Sequence, residues 1–199
     1  RIEVVNNGID TNIFRPCMDR IVEKQILSKY KIPLRRKILL GVASIWEKRK
    51  GLDFFIELSN CISEDYIIVL VGLNKWQMYT MPQNIIGIGR TENREELSVL
   101  YSAAHIFINP SMEESFSLVT VEAMACGTPV IALDTSAVKE LIDVQSGIVL
   151  RENRVTDYLE AIKNIELSKL QKQRIAETAL KYSKQRMTEE ILQLYKEQV

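Results

Sequence analysis

Tyr66-Ile67-Ile68-Val69-Leu70-Val71 is an unbroken apolar run, rich in β-branched residues, that stops at Gly72. It is too short for a typical helix, and it shows no polar alternation. Both faces are therefore expected to be buried, as in a strand inside a parallel sheet. Upstream, Lys37 to Ile45 (KILLGVASI) reads the same way between Arg35-Arg36 and a second group of charges. Downstream, Asn84 to Gly89 is a weaker strand, followed by His105 to Asn109 and Pro129 to Leu133. The segments between them have helical spacing. Leu52, Phe55, Ile56 and Leu58 share one face of Leu52 to Ile62; Asn93, with Glu96 three residues on, caps a helix whose apolar face is Leu97, Leu100, Tyr101 and Ala104; and Ser117 to Cys126 forms a helix stopped by Gly127. Strands that alternate with helices predict an α/β, doubly wound, Rossmann-like parallel sheet with right-handed crossovers.

Beyond about Arg151 the character changes. Residues 152–199 contain no Gly or Pro, and Tyr158, Ile162, Ile165, Leu170, Ile175, Leu180, Ile191, Leu192 and Tyr195 recur at helical intervals. Two or three amphipathic helices covering one side of the sheet are expected, within a single domain spanning 1–199.

Composition narrows the function. In 199 residues, 26 Lys+Arg balance 26 Asp+Glu, which argues against a nucleic-acid module. No run of 18 apolar residues exists, so no membrane-spanning helix is expected. Cys17, Cys61 and Cys126 lie far apart, are odd in number and contain no CxxC, which excludes a disulfide framework or a cysteine zinc site and fits a reducing, cytoplasmic setting. His105 is the one histidine, so any Ser-His or Cys-His catalysis must use it. The chain opens at Arg1, without Met, directly into an apolar stretch, which suggests a piece cut from a longer protein.

Ligands of doubly wound sheets bind beyond the carboxyl ends of the strands, and three such junctions carry unusual residues. Trp46-Glu47-Lys48-Arg49-Lys50-Gly51 sets three cations and a Gly beside a helix start, a phosphate site or else a solvated turn. Gly87-Ile88-Gly89-Arg90 lacks the third Gly and the downstream acid of a dinucleotide fingerprint. The most specific is Pro110 to Pro129 (PSMEESFSLVTVEAMACGTP). Its helix start near Ser117 favours an anion, Glu122 one turn in tilts back toward that mouth, and Glu114 approaches from the preceding loop. Sugar hydroxyls are suitable donors to such a carboxylate; a purely structural partner for Glu122 is the alternative.

Glu114 and Glu122, with seven residues between them, resemble the signature of retaining, nucleotide-sugar-dependent glycosyltransferases of family 4, which have the GT-B architecture. Val5-Asn6-Asn7-Gly8-Ile9-Asp10 with Phe14 and Pro16, Lys50-Gly51-Leu52-Asp53, and Leu97 to Pro110-Ser111 agree in order and spacing. The resemblance covers the chain but only the C-terminal, donor-binding half of such an enzyme, and the chain closely resembles members associated with bacterial surface and capsular polysaccharide synthesis. It implies transfer of a hexosyl-type sugar to a glycan or lipid-linked acceptor held by an N-terminal domain. The full-length protein would then be cytoplasmic and, for a lipid-linked acceptor, peripheral at the inner face of the membrane. By position, Glu114 would contact donor-sugar hydroxyls, Glu122 the ribose, and the N–H groups of Ser117, Leu118 and Val119 the sugar or diphosphate. Lys50 would bind phosphate and Arg90 would lie beside the base. No cofactor or metal is implied: Asp-x-Asp is absent, and cations with a helix N-terminus replace the ion.

Two departures stand out. Ala43-Ser44-Ile45 occupies the region of the family's Gly-Arg pair, leaving Arg49 as the available substitute, and Ser136-Ala137 replaces a Gly-Gly before Glu140. Two rival classes are a non-catalytic nucleotide-sugar-binding domain and a GT-B-type sugar-nucleotide epimerase. The epimerase would need an acid–base pair, for which only His105 and carboxylates are available. Trp46 is a candidate for stacking on a base or sugar and equally for packing, and Cys126 for core filler.

Overall fold

Every strand-forming run named above enters one parallel sheet. The computed structural model describes residues 3–168 and 170–197. Its strands are β1 (Lys37–Val42), β2 (Tyr66–Val71), β3 (Ile85–Ile88), β4 (Ile106–Asn109), β5 (Val130–Leu133) and β6 (Gly147–Leu150), in the order β3-β2-β1-β4-β5-β6. Register runs in step from Lys37 beside Tyr66 to Val42 beside Val71. β1 ends three residues before Ile45, because the Ala43 N–H makes a last bond to Val71 before the chain turns away and leaves Ile45 exposed.

The helices are α1 (Arg20–Lys29), α2 (Leu52–Ser59), α3 (Lys75–Thr80), α4 (Arg94–Ala103), α5 (Leu118–Ala125), α6 (Ser136–Leu141), α7 (Val155–Ser168), α8 (Lys172–Ala179) and α9 (Lys184–Lys196). Single 3-10 turns span Lys48–Lys50 and Leu180–Tyr182. Strand side chains alternate between two cores, as the two-residue period requires. Leu40, Val69, Phe107 and Val130 face α1, α4, α5, α6 and α8, whereas Leu39, Ile68, Leu70, Ile106 and Ile131 face α2 and α7. Phe55 and Leu58 of α2 are fully buried. Truncating Leu58 to Ala would cost about 2–5 kcal/mol.

The C-terminal helices do not cover one side. Tyr158, Ala161, Ile162 and Ile165 of α7 pack with Phe54 against one face, while Ile175, Ala179 and Tyr182 pack against the other. The apolar stripes of α7 and α8 are separately complete, so the two helices need not share a face. α9 buries none of its residues; its first residue and the turn before it are tied to the N-terminal segment, where Lys184 N–H donates to Ile9 carbonyl and Ile9 N–H to Tyr182 carbonyl.

Strand order reverses between β1 and β4, and that switch point is where both flanking loops lead away from the sheet and leave a crevice.

Candidate functional site

Gly51 brings the two loops of the crevice together. It has φ 80°, and a Cβ on it would sit 2.6 Å from Pro110 Cγ, so both the left-handed backbone and the close approach require glycine. Beside it, Met112 N–H donates to Arg49 carbonyl at 2.9 Å, locking the loop after β4 onto the Lys48–Lys50 turn. Lys50 Nζ consequently donates to Glu114 Oε1 at 2.7 Å, with both side chains largely buried. Arg49 stays exposed and pairs with Glu47. These groups wall a cleft of about 750 Å³ with Ser44, Asp134 and Thr135. The Thr135 hydroxyl is buried there without a hydrogen-bond partner among the described residues.

α5 opens onto the same crevice. Its N-cap, Ser117, is a non-glycine residue with φ 66° and ψ 67°, a conformation that costs an L-residue roughly 1–2 kcal/mol. The Ser117 hydroxyl is engaged elsewhere: Asn109 Nδ2 donates to it at 2.9 Å, and it pairs with Thr120 Oγ1 at 2.9 Å. Among the described residues no side chain caps the helix, so the first-turn amides at Leu118 and Val119 keep their positive end for an anion. Strain held at an uncapped helix mouth is typical of a ligand site.

A second cleft, of about 1080 Å³, adjoins the first at Ser44, which lines both. Its wall includes Gly72, Gly89, Arg90, Arg94, Val119 and Glu122. Gly72 (φ 100°) stands where a Cβ would lie 1.7 Å from the Ala43 carbonyl oxygen, so the backbone itself forms the floor. Glu122 is half-buried on α5 and accepts a hydrogen bond from Tyr101 at 3.1 Å. Burial pushes its carboxyl up to about 7, against the opposing effects of the Tyr101 bond and the Arg94 charge. Burial, together with the nearby Glu122 charge, drives the Tyr101 phenol well above its ordinary range. Arg94 lies over the Phe14 ring, 5.2 Å from its centre.

Sequence reasoning therefore names residues that the fold distributes over two adjoining clefts. Lys50, Arg49 and Glu114 line one; Arg90, Val119 and Glu122 line the other; Ser117 and Leu118 stand at the head of α5. Arg94, Asn109, Tyr101 and Thr135 had not been singled out for the site. A polar Asn ending an otherwise apolar strand, and an Arg directly after the Asn93 cap, were the available signals. Trp46 does not offer a stacking face: it is buried, packs edge-on against Phe55, and donates from Nε1 to Val71 carbonyl at 2.9 Å. His105 precedes β4, at the amino end of the sheet and away from the crevice, where burial lowers its pKa beside Lys37 and Glu166. Cys126 is fully buried against Ser98, its thiol pushed up to about 12 by burial. Gly87 belongs to β3 and abuts Leu73 and Met78, whereas Gly89 reaches the cleft.

Chemically, the first cleft sets Arg49 and Lys50 among the carboxylates of Glu113, Glu114 and Asp134, a mixed lining that offers cations to an anion and acceptors to hydroxyl groups. The second offers apolar walls, two guanidinium groups and a carboxyl group able to accept from paired hydroxyls. The model of the family described as glycosyl transferases group 1 matches residues 36–166, which include both clefts. The chain belongs to that family.

Relatives in the family extend the likeness along the chain. A D-inositol 3-phosphate glycosyltransferase of Corynebacterium jeikeium is 29% identical over 98% of this chain and 52% of its own length. Another, from Mycobacteroides abscessus, is 38% identical over 85% of this chain and 40% of its own. The chain spans about half the length of the curated relatives it matches. Among solved structures, Anabaena HepE in complex with UDP-glucose superposes with a TM-score of 0.81 at 18% identity, covering 98% of this chain and 57% of that one. The C-terminal domain of LpcC, a group 1 family glycosyl transferase from Francisella tularensis, superposes with a TM-score of 0.64 at 26% identity, covering 86% of this chain and 94% of that one. The Rossmann-like sheet matches the corresponding half of GT-B glycosyltransferases. Among the described residues, no helix is long and apolar enough to cross a membrane.

Proposed function

We propose that this domain is the donor-binding half of a nucleotide-sugar-dependent glycosyltransferase. The observation that carries the proposal is the continuity at Ser44 of a cleft holding Lys50, Arg49 and Glu114 with a second cleft holding Arg90, Glu122 and Val119 of the first turn of α5. A nucleoside diphosphate sugar has the matching parts in the matching order: sugar and diphosphate for the first cleft, nucleoside for the second. Lys50, Arg49 and the α5 amides at Ser117, Leu118 and Val119 would hold the diphosphate and stabilise the charge that develops as it departs. Glu114 would accept from donor-sugar hydroxyls and Glu122 from the ribose. Arg90 would lie beside the base. No metal enters this scheme, since cations and the helix end supply the positive charge.

In this reading the sugar is of the hexosyl type and is transferred with its anomeric configuration retained. The acceptor is a glycan or lipid-linked molecule held by an N-terminal domain, and the setting is cytoplasmic, at the inner membrane face for a lipid-linked acceptor, in bacterial surface or capsular polysaccharide synthesis. Relatives named D-inositol 3-phosphate glycosyltransferase and alpha-maltose-1-phosphate synthase make a small phosphorylated acceptor the second candidate. Calorimetric titration with UDP, GDP, ADP and their sugar derivatives tests the donor half of the proposal. Binding of one nucleotide series is expected; no heat and no thermal stabilisation with any of them would refute it.

A further inference from the structure

Glu96 is a charged side chain that the proposed donor contacts do not use, yet it is largely buried. Its two oxygens collect three donors from two separate stretches of the chain. Lys29 Nζ of α1 approaches Oε1 at 2.5 Å, Tyr30 OH approaches Oε2 at 2.6 Å, and the Glu92 N–H reaches Oε2 at 3.2 Å. Lys29 also pairs with the Glu92 carboxylate at 2.7 Å. Burial alone would raise the Glu96 carboxyl; the Lys29 and Tyr30 bonds outweigh it and hold the group below its usual range. Glu96 is therefore an anion fixed from α1 on one side and gripping the backbone of residue 92 on the other.

The gripped backbone is the wall of the second cleft. Gly89, Arg90, Thr91, Glu92, Asn93 and Arg94 all line it. Asn93 caps α4 by accepting from the Glu96 N–H at 2.8 Å, but Glu96 does not return a bond to Asn93; it reaches one residue further back, to Glu92. This closes residues 92–96 into a tight loop whose shape is set by one buried carboxylate. Without that anchor, a short polar segment between β3 and α4 has few other restraints, and the order needed to present Arg90 and Arg94 would have to be bought at binding.

We infer that Glu96, clamped by Lys29 and Tyr30, is a positioning residue that preorganises the 89–94 wall for the nucleoside part of the donor. The inference rests on the second cleft being the nucleoside site. It sets a different expectation from a purely architectural tie between α1 and α4, which would affect all ligands only through unfolding.

The test is calorimetry of the 199-residue chain with the preferred nucleoside diphosphate, its nucleoside and inorganic pyrophosphate, for the parent, Glu96→Gln, Lys29→Met, Lys29→Arg and Glu122→Gln, with melting temperatures alongside. Glu96→Gln and Lys29→Met should weaken nucleoside and nucleoside diphosphate binding about tenfold, the scale of losing one charge-assisted contact, with pyrophosphate binding unchanged. Lys29→Arg should restore most of the affinity. Nucleoside affinity within twofold of the parent in both variants, while Glu122→Gln is impaired, would overturn the positioning role and leave the cleft assignment standing. Equal losses for nucleoside and pyrophosphate would overturn it in favour of an architectural tie. Indifference of Glu122→Gln as well would remove the cleft assignment and this inference together.

Discussion

Lys50 Nζ lies 2.7 Å from Glu114 Oε1, so the cation and the carboxylate neutralise each other across the crevice. On the proposed donor contacts, a diphosphate would share Lys50 with Glu114, and a sugar would share Glu114 with Lys50. The pair is largely buried, so the exchange is not screened as a surface ion pair would be.

Opposite effects are therefore expected from the two partners. Lys50→Ala should weaken nucleoside diphosphate binding about tenfold or more, the loss of a charge-assisted contact worth roughly 1.5–3 kcal/mol. Glu114→Gln frees the ammonium, and the bare nucleoside diphosphate should bind at least as tightly as to the parent. The extra affinity from the attached sugar should shrink. Calorimetry with matched nucleotide and nucleotide sugar reads both; a Glu114→Gln variant that lost affinity for the bare diphosphate would contradict the shared-cation account.

Glu122 carries a pH signature. Its carboxyl is raised by burial to about 7 in the folded chain, so the native state holds a proton that the unfolded chain releases near pH 4–5. Unfolding free energy should thus decline as pH rises from about 4.5 to 7 and level off above, with up to about 3 kcal/mol involved. Glu122→Gln, whose side chain still accepts from Tyr101, should flatten this slope and be more stable than the parent at pH 8. Urea denaturation from pH 5 to 8.5 measures it, and identical slopes for both proteins would refute the buried-acid assignment.

Ser117 separates strain from bonding. Ser117→Ala keeps the left-handed backbone and leaves Asn109 and Thr120 short of a partner, at a cost of about 1–3 kcal/mol. Ser117→Gly loses the same bonds but relieves the φ of 66°, and should be about 1 kcal/mol more stable than Ser117→Ala. The reverse ranking in urea denaturation would show that the cap is not strained.

The sheet was legible because strands buried on both faces are continuous apolar runs: Tyr66–Val71 appears with the bounds read from the sequence. α1 was not visible, since only Leu27 is buried on it and its charges mask the period; nor was β6, a half-buried edge strand of four residues. The Glu114–Glu122 spacing does not show that the two side chains divide between adjoining clefts. That division depends on Lys50 pairing with Glu114 and Tyr101 with Glu122, contacts between residues 64 and 21 positions apart. Spacing along the chain carries no information about them. The side change between α7 and α8 was equally hidden, because each helix has its own complete stripe.

On the proposed reading, one ligand lies across both clefts, its diphosphate on Lys50 and its nucleoside on Glu122. A calorimetric comparison of a nucleoside diphosphate with its parent nucleoside on the parent chain, Lys50→Ala and Glu122→Gln tests this, with Glu57→Gln, exposed on α2 and in neither cleft, as control and melting temperatures measured in parallel. Lys50→Ala should weaken the diphosphate about tenfold and leave the nucleoside unchanged. Glu122→Gln should weaken both without lowering the melting temperature, and Glu57→Gln should bind like the parent. Equal losses of diphosphate and nucleoside in Lys50→Ala, or parent-like binding in Glu122→Gln, would contradict it.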